Sequence, residues 1–158
     1  MEIVTDRLII KDTNKSDVDL LLKMDKQEVT QMYLGGIKNK TKEERILFLE
    51  KKENKLKDGI AYPLTVFLKD GTPLGFIDLK QVDDKYELSY IFDYDYCNNG
   101  YCTEACKIVL DKLNINKVFA YSLKENNSSR RVLEKLNFKY IETVIRDDSE
   151  FLYYEREV

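Results

Sequence analysis

Apolar and polar positions alternate through Thr5-Asp6-Arg7-Leu8-Ile9-Ile10-Lys11, and this period predicts a first strand. Asn14 or Ser16 then stands where a cap belongs, ahead of a helix carrying Val18, Leu21 and Leu22 on one face. Thr41-Lys42-Glu43-Glu44 has capping-box spacing and opens a second helix to about Lys57. Tyr62 to Leu68 and Leu74 to Lys80 read as strands, joined into a hairpin by the tight-turn composition Lys69-Asp70-Gly71-Thr72. The charged turn Asp83-Asp84-Lys85 leads into another strand, Tyr86 to Phe92. Cys102, Ala105, Cys106, Val109, Leu110 and Leu113 then recur at helical spacing. Val118 to Tyr121 is a short buried strand. Ser128 or Ser129 starts a helix with Val132, Leu133 and Leu136 inward, and Lys139 to Glu157 forms two strands turning at Asp147-Asp148-Ser149.

This order predicts a mixed α+β domain, one sheet with helices on its faces. No repeat, low-complexity tract or linker divides it, so residues 1–158 are expected to form a single domain. Hydrophobic residues make up 43% and charged residues 35%, the balance of a globular chain rather than a disordered one. No apolar run approaches the ~20 residues that span a bilayer, and MEIVTDRLII shows no charged-then-apolar leader. Net charge is −3 without any basic block, which argues against nucleic acid as a partner. The expected location is the cytoplasm, since three crowded cysteines do not make a disulfide framework.

Zero histidines changes the chemistry more than any of these totals. It removes the commonest general base and the commonest metal ligand together. All three cysteines lie in CNNGYCTEAC, residues 97 to 106. A thiol-ligated metal would need a fourth ligand of another kind, while Cys102 and Cys106 fall on the apolar helical face, where free cysteine acts as a small hydrophobe. No metal site is expected. The backbone offers a different use: a strand, a polar loop with Gly100, then a helix at once. The first turn of a helix has N–H groups without internal partners and partial positive charge, suited to phosphate. Asn98 and Asn99 tolerate turn and left-handed backbone, and Thr103 adds a hydroxyl.

The stretch YELSYIFDYDYCNNGYCTEACKIVL resembles the acyl-CoA-binding motif of the GNAT acetyltransferases, in the branch of Rim-type (RimJ/RimL-like) ribosomal-protein N-terminal acetyltransferases. KENNSSRRVLEKLNF and TDRLIIKD are similar to two further segments of that branch, in the same order along the chain. The resemblance implies a mostly antiparallel, splayed sheet flanked by helices on both faces, with acetyl-CoA as co-substrate. It implies that backbone amides around Asn98, Asn99, Gly100, Tyr101, Cys102 and Thr103 hold the diphosphate. The sheet is expected to splay after the strand ending near Phe92, so that the pantetheine arm meets Tyr90, Ile91 and Phe92. Asn126 falls on a family asparagine at the cofactor arm, and Ser129 on a serine near the thioester sulfur. Cys97 and Cys102 depart from the motif, which has Arg or Gln and Gly or Ala there. Asn137 replaces a glycine that ends a helix, and asparagine tolerates the left-handed turn needed.

The implied reaction is direct attack of a primary amine on the thioester. It needs a base for the amine's proton, charge stabilisation at the carbonyl, and a donor for the departing sulfur. Glu87 is the candidate base, sharing a strand face with Ser89; a solvated strand charge is the alternative. A backbone N–H near Tyr90 or Ile91 would face the oxyanion. Ser129 is the candidate donor, with a helix cap as its alternative and Tyr121 and Tyr94 as other donors. Arg130 and Arg131 are candidates for the 3′-phosphate. The acceptor is a peptide N-terminus or an amine-bearing small molecule, and the chain a monomer or homodimer. The region expected to shape the acceptor pocket, 28–40 with Met32, Tyr33, Gly35 and Gly36, matches nothing specific. A non-catalytic CoA-binding module is the competing expectation, motivated by Cys97 and Cys102.

Overall fold

The computed structural model describes residues 1–28, 30 and 40–157. Its first difference from expectation comes at Thr5, where the alternation suggests one continuous strand. Thr5 Oγ1 accepts from the N–H groups of Leu8 at 2.9 Å and Arg7 at 3.3 Å, which closes a turn. The chain therefore folds as two strands, β1 (Glu2–Val4) and β2 (Leu8–Asp12), paired antiparallel. Alternation alone does not reveal a hydroxyl that bonds its own backbone.

Asn14 supplies the expected cap as a full capping box on the 3₁₀ turn Lys15–Asp17, ahead of α1 (Val18–Asp25). Thr41 Oγ1 accepts from Glu44 N–H and starts α2 (Lys42–Lys57). The hairpin is β3 (Ala61–Leu68) with β4 (Pro73–Val82), followed by β5 (Lys85–Phe92). After a 3₁₀ turn at Tyr94–Tyr96 come α3 (Tyr101–Lys112) and β6 (Lys117–Leu123). α4 (Asn127–Lys135) precedes β7 (Lys139–Arg146) and β8 (Ser149–Glu157). Asn137 has φ 66°, so the left-handed helix end expected of it is present. The cap of α4 is Asn126, not Ser128 or Ser129: its side chain accepts from Ser129 N–H. A cap bonds the amide two or three residues on, and both serines lie inside that turn.

One eight-stranded sheet results, in the order β1-β2-β3-β4-β5-β6-β8-β7. Every neighbouring pair is antiparallel except β5 and β6, which the α3 crossover makes parallel. α3 and α4 cover one face, where Leu88, Val118, Ala120 and Tyr154 pack against Ala105, Cys106, Val109 and Leu133. α1 and α2 cover part of the other, with Val18, Leu21 and Leu49 on Phe76.

The parallel pair is short. β5 and β6 are in register only at Tyr86↔Val118 and Glu87↔Phe119. β5 stays paired to β4 as far as Gly75↔Phe92, and β6 to β8 as far as Leu123↔Phe151. Each strand follows its outer neighbour, so the sheet forks. The fork opens after Glu87, inside the strand, rather than at its end near Phe92 as the resemblance suggested.

Candidate active site

The loop before α3 is built from backbone conformations that few residues accept. Asn98 has φ 67°, and Gly100, the cap residue, has φ 77° and ψ 6°. The Asn99 side-chain amide donates to the carbonyls of Tyr96 and Cys97, both at 3.2 Å, and holds the curl. Gly100 has no side chain to cap the helix. Among the described residues, no acceptor takes the N–H groups of Tyr101, Cys102 or Thr103. These orphan donors sit at the positive end of a 12-residue helix.

The outer side of the loop is pinned by the first hairpin. Arg7 Nε pairs with Glu104 Oε1 at 2.8 Å, and Arg7 Nη1 donates to the Asn99 carbonyl at 3.0 Å. The guanidinium lies 4.5 Å from the centre of the Tyr101 ring. Thr5 Oγ1 donates to the other Glu104 oxygen at 2.7 Å.

Between this loop, the fork and the start of α4 lies a cavity of about 550 Å³. It brings together Tyr90, Ile91 and Phe92 of β5, Asn98, Gly100, Tyr101, Cys102 and Thr103 around the helix end, and Asn126 and Ser129 of α4. Asn99 is not in its wall, since its side chain and carbonyl are spent on the loop and on Arg7. Arg131 and Lys135 line the cavity, whereas Arg130 turns its Nη1 to the Lys124 carbonyl.

Ser129 is held tightly. The Tyr90 hydroxyl lies 3.0 Å from both the Ser129 carbonyl oxygen and Ser129 Oγ. Burial pushes the Tyr90 phenol well above its ordinary range, so it remains a hydrogen-bond donor at any working pH. Asn126 Oδ1 accepts from Ser129 N–H at 3.2 Å. What Asn126 can still offer a ligand is its NH₂ group.

Glu87 stands apart from the cavity wall. It occupies the last paired rung before the fork and faces away from Leu88 and Tyr90. Phe119, its register partner, belongs to an aromatic group with Tyr121 and Tyr153, ring centres 5.2–5.9 Å apart. Arg146 stacks on Tyr121 at 3.9 Å. Of the alternative donors, Tyr94 lines the cavity, and Tyr121 lies on this opposite face. Most of the region expected to shape the acceptor pocket, including Met32, Tyr33, Gly35 and Gly36, lies outside the described residues.

Asp93 anchors the end of β5. Its carboxylate is fully buried and takes Lys23 Nζ at 2.5 Å and Gln27 Nε2 at 2.7 Å, both from the α1 side. Burial alone would raise its pKa, but Lys23, Gln27 and the Asp95 N–H together hold it below the usual carboxylate value. The thiols take part in packing rather than in ligation or ion pairing. Burial raises the pKa of both Cys97 and Cys102, and Cys106 is completely enclosed. Among the described residues, no cluster of His, Cys, Asp or Glu is arranged to hold a metal ion.

Two contributors have no signal in the sequence pattern. Gly75 lets β5 approach β4: a Cβ there would lie 2.5 Å from the Ile91 carbonyl oxygen. Arg7 belongs to a strand-like run in which a charged residue reads as solvated surface, and its partners are more than 90 residues away. Only the Thr-Asp-Arg-Leu motif marked that stretch.

A family model described as an acetyltransferase (GNAT) domain matches residues 7–139. The uncharacterized N-acetyltransferase YnaD of Bacillus subtilis (strain 168) is 27% identical over 147 residues, covering 88% of this chain and 83% of that protein. Among solved structures, RimL, a ribosomal L7/L12 α-N-protein acetyltransferase in complex with coenzyme A, superposes with TM-score 0.87 at 13% identity, over 99% of this chain and 97% of that one. The Salmonella typhimurium acetyl transferase that modifies the N-terminal serine of ribosomal protein L7/L12 gives TM-score 0.85 at 14% identity, over 99% and 98%. At such identities the likeness is one of fold.

Proposed function

The chain belongs to the GNAT acetyltransferase family, and from that membership we propose that it acetylates a primary amine, on a peptide N-terminus or a small molecule, by direct attack on acetyl-CoA. One observation carries the proposal: the unclaimed N–H groups at the head of α3 and the unpaired edge of β5 open into the same cavity. The site suits the co-substrate on chemical grounds. Orphan donors at a helix N-terminus match a diphosphate, and free backbone groups beyond Glu87 match the amides of a pantetheine arm. Gly100 supplies the left-handed backbone (φ 77°) that turns the loop into the helix, and a Cβ there would face Arg7 Nη2 at 3.6 Å on the outer side of the loop.

Acetyl-CoA would supply an activated carbonyl and a thiol leaving group whose pKa is near that of cysteine, ~8.5. Tyr101, Cys102 and Thr103 N–H groups would hold the diphosphate, with Asn126 NH₂ along the arm and Arg131 or Lys135 available to the 3′-phosphate. Backbone N–H near Tyr90 or Ile91 would face the oxygen that gains charge. Glu87, at the base of the fork on the face that α3 and α4 leave open, would take the proton of the incoming amine. Ser129 Oγ would donate to the departing sulfur, its direction set by Tyr90. The C–N bond would form as the C–S bond breaks, the amine's proton passing to Glu87 and on to solvent, while Ser129 Oγ steadies the departing thiolate by a hydrogen bond and water supplies any proton the sulfur takes up.

The decisive experiment is a thiol-release screen with acetyl-CoA over N-terminal peptides, polyamines, amino acids and aminoglycosides. Release with one acceptor class supports transfer. Acetyl-CoA binding by thermal shift without release on any amine would favour a non-catalytic CoA-binding module, the reading that thiols at Cys97 and Cys102 in the cavity wall favour. Among the described residues, no helix is long and apolar enough to cross a membrane, and the proposed setting is the cytoplasm.

A further inference from the structure

We infer that Arg7 is a positioning residue for coenzyme binding, an inference that rests on the α3 loop holding the diphosphate. Arg7 does not line the cavity. It acts on the loop from behind, in two ways.

The first concerns peptide orientation. Arg7 Nη1 draws the Asn99 carbonyl outward at 3.0 Å. In a trans peptide the N–H points opposite to the carbonyl, so the Gly100 N–H is turned away from Arg7, toward the ligand side. With the guanidinium stacked on Tyr101, Arg7 fixes the residues on both sides of the Gly100 turn.

The second concerns charge. Glu104 lies in the first turn of α3, where the helix dipole attracts a carboxylate and where its negative charge would compete with a phosphate. Arg7 Nε takes one Glu104 oxygen at 2.8 Å and Thr5 Oγ1 takes the other at 2.7 Å. Both lone-pair sets are held on the outer side of the helix, and the charge is locally neutralised. The Thr5 hydroxyl is itself fixed, because it accepts the Leu8 N–H that closes the β1–β2 turn. The β1–β2 turn and the coenzyme loop thus form one unit, although 92 residues separate Arg7 from Asn99.

Titration of wild type and Arg7→Ala with coenzyme A, and with pantetheine, which keeps the thiol arm but has no diphosphate, tests this without knowing the acceptor. Arg7→Ala should weaken coenzyme A roughly tenfold to a hundredfold, the range for charge-assisted hydrogen bonds, and leave pantetheine unchanged. Pantetheine binding also reports that the variant is folded. Equal weakening of both ligands would make Arg7 a general structural residue and overturn the inference, as would no change in either. If wild type bound pantetheine as tightly as coenzyme A, the diphosphate reading of the loop would fail first, and the role of Arg7 with it. Arg7→Lys, which keeps charge but not the fork geometry, should stay impaired for coenzyme A.

Discussion

Gly75→Ala places a methyl group where β4 and β5 come closest, beside the strand edge that lines the cavity. The new Cβ would lie 2.5 Å from the Ile91 carbonyl oxygen, 2.7 Å from Phe92 Cγ and 2.8 Å from Phe92 Cα. Ordinary contact begins at 3.4 Å, so the shortest of these is about 0.9 Å too close. Two of the three atoms are backbone, and rotating the Phe92 side chain cannot relieve them. β5 must move, or β4 must. Overpacking of this kind costs about 1–3 kcal/mol, and the lower entropy of the unfolded alanine chain returns about 0.4–1 kcal/mol. At the middle of each range the net loss is about 1.3 kcal/mol, or roughly 3–5 °C in Tm for a chain of this size. Because Ile91 and Phe92 form the cavity wall, acetyl-CoA binding should weaken alongside stability. Thermal unfolding with and without acetyl-CoA measures both. An unchanged or higher Tm would show that the strands are not as close as described and would refute the reasoning.

Glu87→Gln should lower turnover by roughly a hundredfold or more if Glu87 is the base, with acetyl-CoA binding nearly unchanged; an unaltered rate would remove Glu87 from the mechanism. Tyr90→Phe keeps the ring and removes the hydroxyl at Ser129, so kcat should fall about fivefold, the worth of one hydrogen bond, at constant KM for acetyl-CoA. Combined with Ser129→Ala it should add nothing; multiplicative effects would separate the two residues. Asp93 has a folded pKa below its unfolded value of about 3.9, so its contribution is complete above that pH and is lost as pH falls through the folded pKa. Acid titration of stability should therefore show a steeper fall below about pH 4 for wild type than for Asp93→Asn, and parallel curves would contradict the assignment.

Local chemistry was readable from the sequence where the cause is local. Thr41 and Asn14 cap as their side chains dictate, and Asn98 and Asn137 adopt left-handed backbone. Apolar spacing in Cys102 to Leu113 placed Cys106, Val109 and Leu110 in the core. Thr5 misled because its hydroxyl interrupts a pattern that continues in residue type. Asn126 displaced the serines as cap because four polar residues in a row, Asn126 to Ser129, offer similar chemistry, and only backbone geometry selects one. The position of the fork was beyond the sequence pattern, since it depends on which outer strand each inner strand follows. Arg7 and Gly75 were hidden for the same reason: their partners are set by topology rather than by neighbours in the chain.

The head of α3 as the seat of the diphosphate is the claim on which the rest depends, and a crystal structure with coenzyme A bound addresses it directly. Diphosphate oxygens are expected within hydrogen-bond distance of the N–H groups of Gly100, Tyr101, Cys102 or Thr103, with the thiol arm lying in the fork between β5 and β6. A nucleotide bound elsewhere, with those amides facing only solvent, would contradict it.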